Sequence, residues 1–146
     1  MDPISILTAA GLGLKLVDQF RELVLRWRGG RVEPPSATVV PVPDGIRIEQ
    51  RGAPPQTVKP DQVRLDQWDE QRYRALDRRV RLNWEYFNEL YAQQVGLAAD
   101  ETARLNVRMN RTKEELCSDF REMVRIYERA LNVRLPDHYQ LYEVCG

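Results

Sequence analysis

MDPISILTAAGLGLKLVDQFRELVLRWR, residues Met1–Arg28, is the most apolar stretch of a charge-rich chain, and the assignment of its faces decides the fold. Asp2 can accept hydrogen bonds from the free N–H groups of a first helical turn, and Pro3 suits the first helical position. Gly29-Gly30 supplies the stop, because glycine adopts the left-handed conformation on which helices commonly end. At about 100° per residue the two halves of this helix differ. From Leu12 onward, Leu12, Leu16, Phe20, Leu23, Val24 and Trp27 share a wide apolar arc, opposite Lys15, Asp18, Gln19, Glu22 and Arg26. Ile4–Leu14 carries no charge, and within it Ser5, Ala9 and Gly13 recur at every fourth position. Small residues so spaced let a second backbone approach closely, either inside one fold or between membrane helices.

The apolar run is too short to cross a bilayer, which takes about 20 residues. Lys15 interrupts it, and Asp18, Arg21 and Glu22 follow. No basic segment precedes it and no cleavage site follows, so it is unlike a secretory signal. Two roles remain: a core or partner-binding helix, or one that lies in a membrane interface.

The whole chain of 146 residues is 30% charged with a formal net charge of zero, so no overall field draws it to nucleic acid or an anionic membrane. Lysine occurs only at Lys15, Lys59 and Lys113; the remaining basic side chains are arginines, whose stems cover apolar surface at helix rims. Cys117 and Cys145 do not make a disulfide framework, and their scarcity points to a reducing compartment. The expected location is cytoplasmic, peripheral to a membrane if the first helix turns outward.

Residues 31–60 hold Pro34, Pro35, Pro41, Pro43, Pro54, Pro55 and Pro60, a density that excludes a long helix. Thr38–Val42 and Ile46–Glu49 alternate around Pro43-Asp44-Gly45, good turn chemistry, which predicts a small edge-like hairpin within an extended connector. Pro41 removes a ladder donor and argues against a central strand.

From about Asp61 to Val95, Leu65, Trp68, Leu76, Val80, Asn83, Phe87 and Leu90 recur at three- and four-residue steps. After Gly96 and a short connection in which Asp100 is the expected N-cap, a second helix runs from about Glu101 to Leu131. Its stripe is Leu105, Met109, Thr112, Leu116, Phe120, Met123, Tyr127 and Ala130. So short a loop predicts antiparallel helices. Two such helices, each about 45 Å long, have more apolar edge than they can cover alone. The first helix is the expected third element. The tail after Pro136 places Tyr139, Leu141, Tyr142 and Val144 to fold back.

Catalytic chemistry is hard to assemble. His138 is the only histidine, so no site with two histidine ligands can form. Gly11-Leu12-Gly13-Leu14-Lys15 lacks the strand and the Gly-Lys-Ser/Thr ending of a phosphate loop. Cys145 with His138 would sit at a frayed end. The densest charge, Arg72–Arg81, offers Arg74, Arg78 and Arg81 as candidate anion contacts, although a solvated helix face with Asp77 nearby explains it more simply.

Met1-Asp2-Pro3-Ile4-Ser5-Ile6-Leu7 and the Ala/Gly/Leu helix after it resemble the opening of HeLo-type and bacterial Bell-type domains, helical bundles of cell-death and immune-conflict systems. The resemblance covers Met1 to about Phe20. It implies that Ile4, Leu7, Gly11, Leu12 and Gly13 belong to a segment that leaves the bundle and enters a membrane after activation.

Together these readings predict a mainly α protein: an N-terminal helix over 1–30, a Pro-rich connector with a small hairpin over 31–60, a long antiparallel helical hairpin over 61–135 and a tail over 136–146. The expected function is a non-enzymatic interaction module that self-associates or binds a helical partner, with no cofactor, metal or small-molecule substrate and with nucleic acid disfavoured. Its contact or membrane-directed residues are Ile4, Leu7, Leu12, Gly13, Leu16, Phe20, Leu23 and Trp27, with Ser5, Ala9 and Gly13 as the packing ladder. The alternative is a membrane-perturbing effector of HeLo or Bell character.

Overall fold

The computed structural model describes residues 1–146 and is mainly helical, with one small antiparallel sheet. Helix α1 spans Pro3–Trp27. Asp2 caps it by accepting the Ser5 N–H at 2.8 Å, and Gly29 turns left-handed just beyond its end at φ +71°. The Ser5 N–H holds the Asp2 carboxyl below the usual carboxylate range.

The buried arc of α1 is rotated from the one the periodicity suggests. Ile6, Ala10, Leu14, Val17, Phe20 and Val24 are the residues sealed inside, whereas Leu12 is 58% exposed. Leu16, Leu23 and Trp27 are half-buried at the margin. The sequence arc began at Leu12 because the uncharged first half gives no polar face by which to orient it.

The Pro-rich segment forms three strands where the sequence suggests two. Strands β1 (Ala37–Val42) and β2 (Gly45–Gln50) pair antiparallel around Pro43-Asp44, and β3 (Gln56–Val58) adds to the far side of β2. The order is β1-β2-β3, so β1 is an edge, as Pro41 requires. A Cβ on Gly45 would stand 2.0 Å from the Val58 carbonyl oxygen, so the close approach of β3 demands glycine there. Strand β3 is too short and too close to Pro54, Pro55 and Pro60 to show an alternating pattern. Ala37, Ile46, Ile48 and Val58 turn into the core.

Helix α2 covers Gln67–Ala92 and α3 covers Ala99–Leu131. The expected start at Asp61 moves: Pro60–Gln62 is a 3-10 turn, the Arg64 N–H donates to the Ala130 carbonyl at 2.7 Å, and Asp66 caps α2 by accepting the Asp69 N–H at 2.7 Å. Asp100 is not the cap of α3. Ala98 holds that position, and Asp100 lies in the first turn, where a carboxylate suits the helix dipole. Trp68, expected in the seam, is 78% exposed, because it precedes Tyr73 by five residues and falls out of phase with Tyr73, Leu76, Val80, Phe87 and Leu90.

Pairs between the two long helices run in opposite senses: Asp69 with Arg129, Arg72 with Glu122, Arg79 with Asp119, Asn83 with Glu115. Along α1, Ala9, Phe20 and Trp27 meet Tyr127, Phe120 and Asn106. Helix α1 therefore runs against α3 and alongside α2. The chain must travel back the length of α1, about 37 Å at 1.5 Å per residue, before α2 begins. An extended segment at about 3.3 Å per residue covers that distance economically, and the sheet is built on this return path.

Phe20 is the centre of the core, with ring centroids 5.2 Å from Phe120, 5.9 Å from Phe87 and 6.2 Å from Trp84. The tail returns over α1 and α3 through a 3-10 turn (Asp137–Gln140) and a short helix α4 (Tyr142–Cys145). Tyr139, Leu141 and Val144 are buried there, while Tyr142 stays outside. Cys117 and Cys145 are bonded to each other, contrary to the expectation of unpaired thiols. Two cysteines that far apart in sequence give no spacing signal, and the pairing removes the ground for placing the chain in a reducing compartment. No helix is long and apolar enough to cross a membrane.

Candidate docking groove

A groove of about 630 Å³ opens between the N-terminal half of α1 and the sheet. Ile4, Leu7, Thr8, Gly11, Leu12 and Lys15 form the helical wall, and consecutive residues from Thr38 to Ile46 form the other. Pro60 and Tyr139 complete it. That every residue of β1 from Thr38 to Val42 touches the groove, whichever way its side chain points, means that the groove follows the backbone edge of the strand.

The phase of that edge follows from the ladder. The Arg51 N–H donates to the Ser36 carbonyl at 3.0 Å, which makes Ser36 and Arg51 a hydrogen-bonded pair. In the register Thr38↔Glu49, Val39↔Ile48, Val40↔Arg47, bonded and unbonded pairs alternate. The backbone groups of Thr38 and Val40 face β2, and those of Val39 and Pro41 face outward. Pro41 has no N–H to waste in that position. Val39 offers both an N–H and a carbonyl, and neither finds a partner elsewhere in the chain.

Tyr139 adds a second unpaired group. It is fully buried, and its hydroxyl is the one buried side-chain polar atom without a hydrogen-bond partner. Burial pushes its phenol far above the ordinary value, so it stays a protonated donor. Nearby, Nε2 of His138 pairs with the Asp18 carboxylate, and the His138 ring packs edge-on against Tyr139 at 4.9 Å. These contacts hold the tail, and with it Tyr139, against α1.

The expected contact residues of α1 separate into three sets. Ile4 and Leu12 are 67% and 58% exposed on the groove's rim, with Leu7 buried beneath them. Leu16, Leu23 and Trp27 are margins of the core, Phe20 is its centre, and the Trp27 indole N–H donates to Asn106 Oδ1 at 3.3 Å. Gly13 belongs to the internal packing: a Cβ there would lie 2.2 Å from the Tyr127 hydroxyl, which itself donates to the Ala9 carbonyl at 3.3 Å. The small-residue ladder thus accommodates Tyr127 of α3, except Ser5, which serves the cap.

Among the candidate anion contacts, Arg74 is paired with Glu70 at 2.8 Å and Arg81 with Asp77 at 3.0 Å. Arg78 is exposed and makes no ion pair. The structure does not bring the three together into a pocket. Cys145 is bonded to Cys117 and His138 to Asp18, so the two side chains make no nucleophilic pair. No group of three or more His, Cys, Asp or Glu side chains is placed to hold a metal ion.

Sequence reasoning found the helical wall of the groove through Ile4, Leu7 and Leu12. It missed Val39 and Tyr139. Val39 had one usable signal, since Pro41 two residues on already marked the phase of the free edge. Tyr139 was expected only to fold back with the tail, because its exact position depends on long-range contacts. No protein-family model matches this chain, and neither does any curated protein or solved structure.

Proposed function

We propose that this chain is a non-enzymatic interaction module, a helical hairpin of α2 and α3 closed by α1, that docks a protein partner in the groove between α1 and β1. The observation that carries the reading is the pair Ile4 and Leu12, two large aliphatic side chains left 67% and 58% exposed on the wall of a 630 Å³ groove. Grooves of this volume with mostly apolar walls and a few polar groups are the usual form of binding sites. The long-helix seam offers less, because Leu76, Val80, Phe87, Met109, Leu116 and Phe120 are already buried within the one chain.

Selection of peptides from a random display library against the folded protein tests this. Enriched peptides are expected to lose binding to Leu12→Glu and Ile4→Glu variants whose circular dichroism matches the parent. Enriched peptides that bind both variants as well as the parent overturn it.

A further inference from the structure

We infer, resting on the docking reading above, that the partner enters as an extended strand that lengthens the sheet at β1, its backbone pairing with Val39 and its apolar side chains laid on Leu12 and Leu7. An apolar groove alone would accept many ligands. The unpaired groups narrow the choice: an outward N–H and carbonyl on Val39 and an outward carbonyl on Pro41. An acyl chain satisfies at most one of these. A peptide backbone supplies alternating donors and acceptors at the strand repeat, and strand addition to a free edge is an established mode of peptide capture. The incoming strand would alternate side chains, with every second one on the α1 side beside Val39 and Pro41.

Charge narrows it further. Lys15 and Asp44 both line the groove and neither has an ion-pair partner within the chain. Asp18 is occupied by His138. The fitting segment therefore carries one acidic and one basic residue flanking apolar alternation.

The probe is the capped heptapeptide Lys-Val-Thr-Val-Thr-Val-Glu, titrated into the isotopically labelled full chain and followed by NMR. The expected result is a shift of the Leu12 methyl signals together with slowed hydrogen exchange at the Val39 amide. Val39→Pro keeps the β1–β2 ladder, since that N–H is outside it, and is expected to weaken binding by about tenfold or more. The probe N-methylated on its central valine, tested against the unaltered chain, is expected to lose affinity to the same degree.

Leu12 shifts that survive both Val39→Pro and N-methylation overturn strand addition and leave the groove reading standing. No perturbation of any groove residue at about 1 mM of either peptide, a concentration reporting even −4 kcal/mol of binding, overturns both. A dimer of the chain that Val39→Pro dissolves assigns the edge to a second copy and also overturns the peptide partner.

Discussion

Between Phe20 and Trp27, α1 presses three aromatic neighbours, Trp84, Phe87 and Phe120, and a matched hydrogen bond against α2 and α3; between Ile4 and Lys15 the same helix leaves aliphatic side chains beside a strand edge with unpaired backbone groups. The difference is not one of composition, since the groove end has fewer charges than the sealed end. It lies in what covers each end. The sealed end faces two long helices at once. The other packs one side on Tyr127 of α3 and turns its remaining side to a three-stranded sheet whose outer strand leaves Ile4 and Leu12 exposed. Apolar sequence alone therefore does not distinguish a core from a docking surface; the supply of neighbours does.

The largest expected effect breaks this contrast most directly. Phe20→Ala removes the ring at the centre of the core and is expected to cost about 3–5 kcal/mol in chemical denaturation. Leu12→Ala, a comparably apolar truncation on the same helix, is expected to stay within about 0.5 kcal/mol of the parent. Equal losses at both positions would show that the groove end is as tightly packed as the other.

That contrast also explains which parts were legible in the sequence. The cap at Asp2, the stop at Gly29, the α3 stripe, the α2 stripe from Leu76 to Leu90 and the hairpin around Pro43-Asp44 are local signals, and each forms as expected. The rotation of the α1 arc was not legible. Leu12 and Leu14 are chemically alike, and only the position of Tyr127, which fits over Gly13, decides which one goes inside. The tail was legible as a segment that folds back but not as a clamp. Arg21 on Glu143, Arg28 on the Val144 carbonyl and Arg121 on the Gln140 carbonyl are each contacts across long sequence separations, with no pattern of their own.

Reduction of the Cys117–Cys145 bond ranks second and sharpens the comparison. The bond closes a loop with a sequence separation of 28. Chain entropy for a loop of that size is worth about 3–4 kcal/mol, so the urea midpoint should fall markedly in reductant. Because α4 is the element released, the groove wall at Tyr139 should loosen first. Faster hydrogen exchange at Tyr139 and Leu141, ahead of Phe20 and Phe120, is the expected order. Simultaneous loss at all four would mean that the two ends of α1 do not differ in local stability.

The smallest effect belongs to a charge pair outside both ends of α1, and it separates surface electrostatics from packing. Arg72 on α2 donates two hydrogen bonds to Glu122 on α3, one of them from Nη2 at 2.9 Å, and this guanidinium holds the Glu122 carboxyl below its ordinary value of 4.5. A carboxylate whose pKa is lower in the folded state binds fewer protons there than in the unfolded chain. Its stabilising contribution is therefore complete above 4.5 and is lost as the pH falls through the lowered value. Exposed pairs of this kind contribute about 0.2–1 kcal/mol, and salt screens them. Glu122→Gln is thus expected to lower stability slightly at neutral pH and to flatten the acid limb of the stability profile, so that the two proteins converge below the titration. A constant offset from neutral pH down through that limb would instead assign the loss to altered packing between α2 and α3, and the ion pairs between those helices would then count as part of the sealed interface rather than its solvated border.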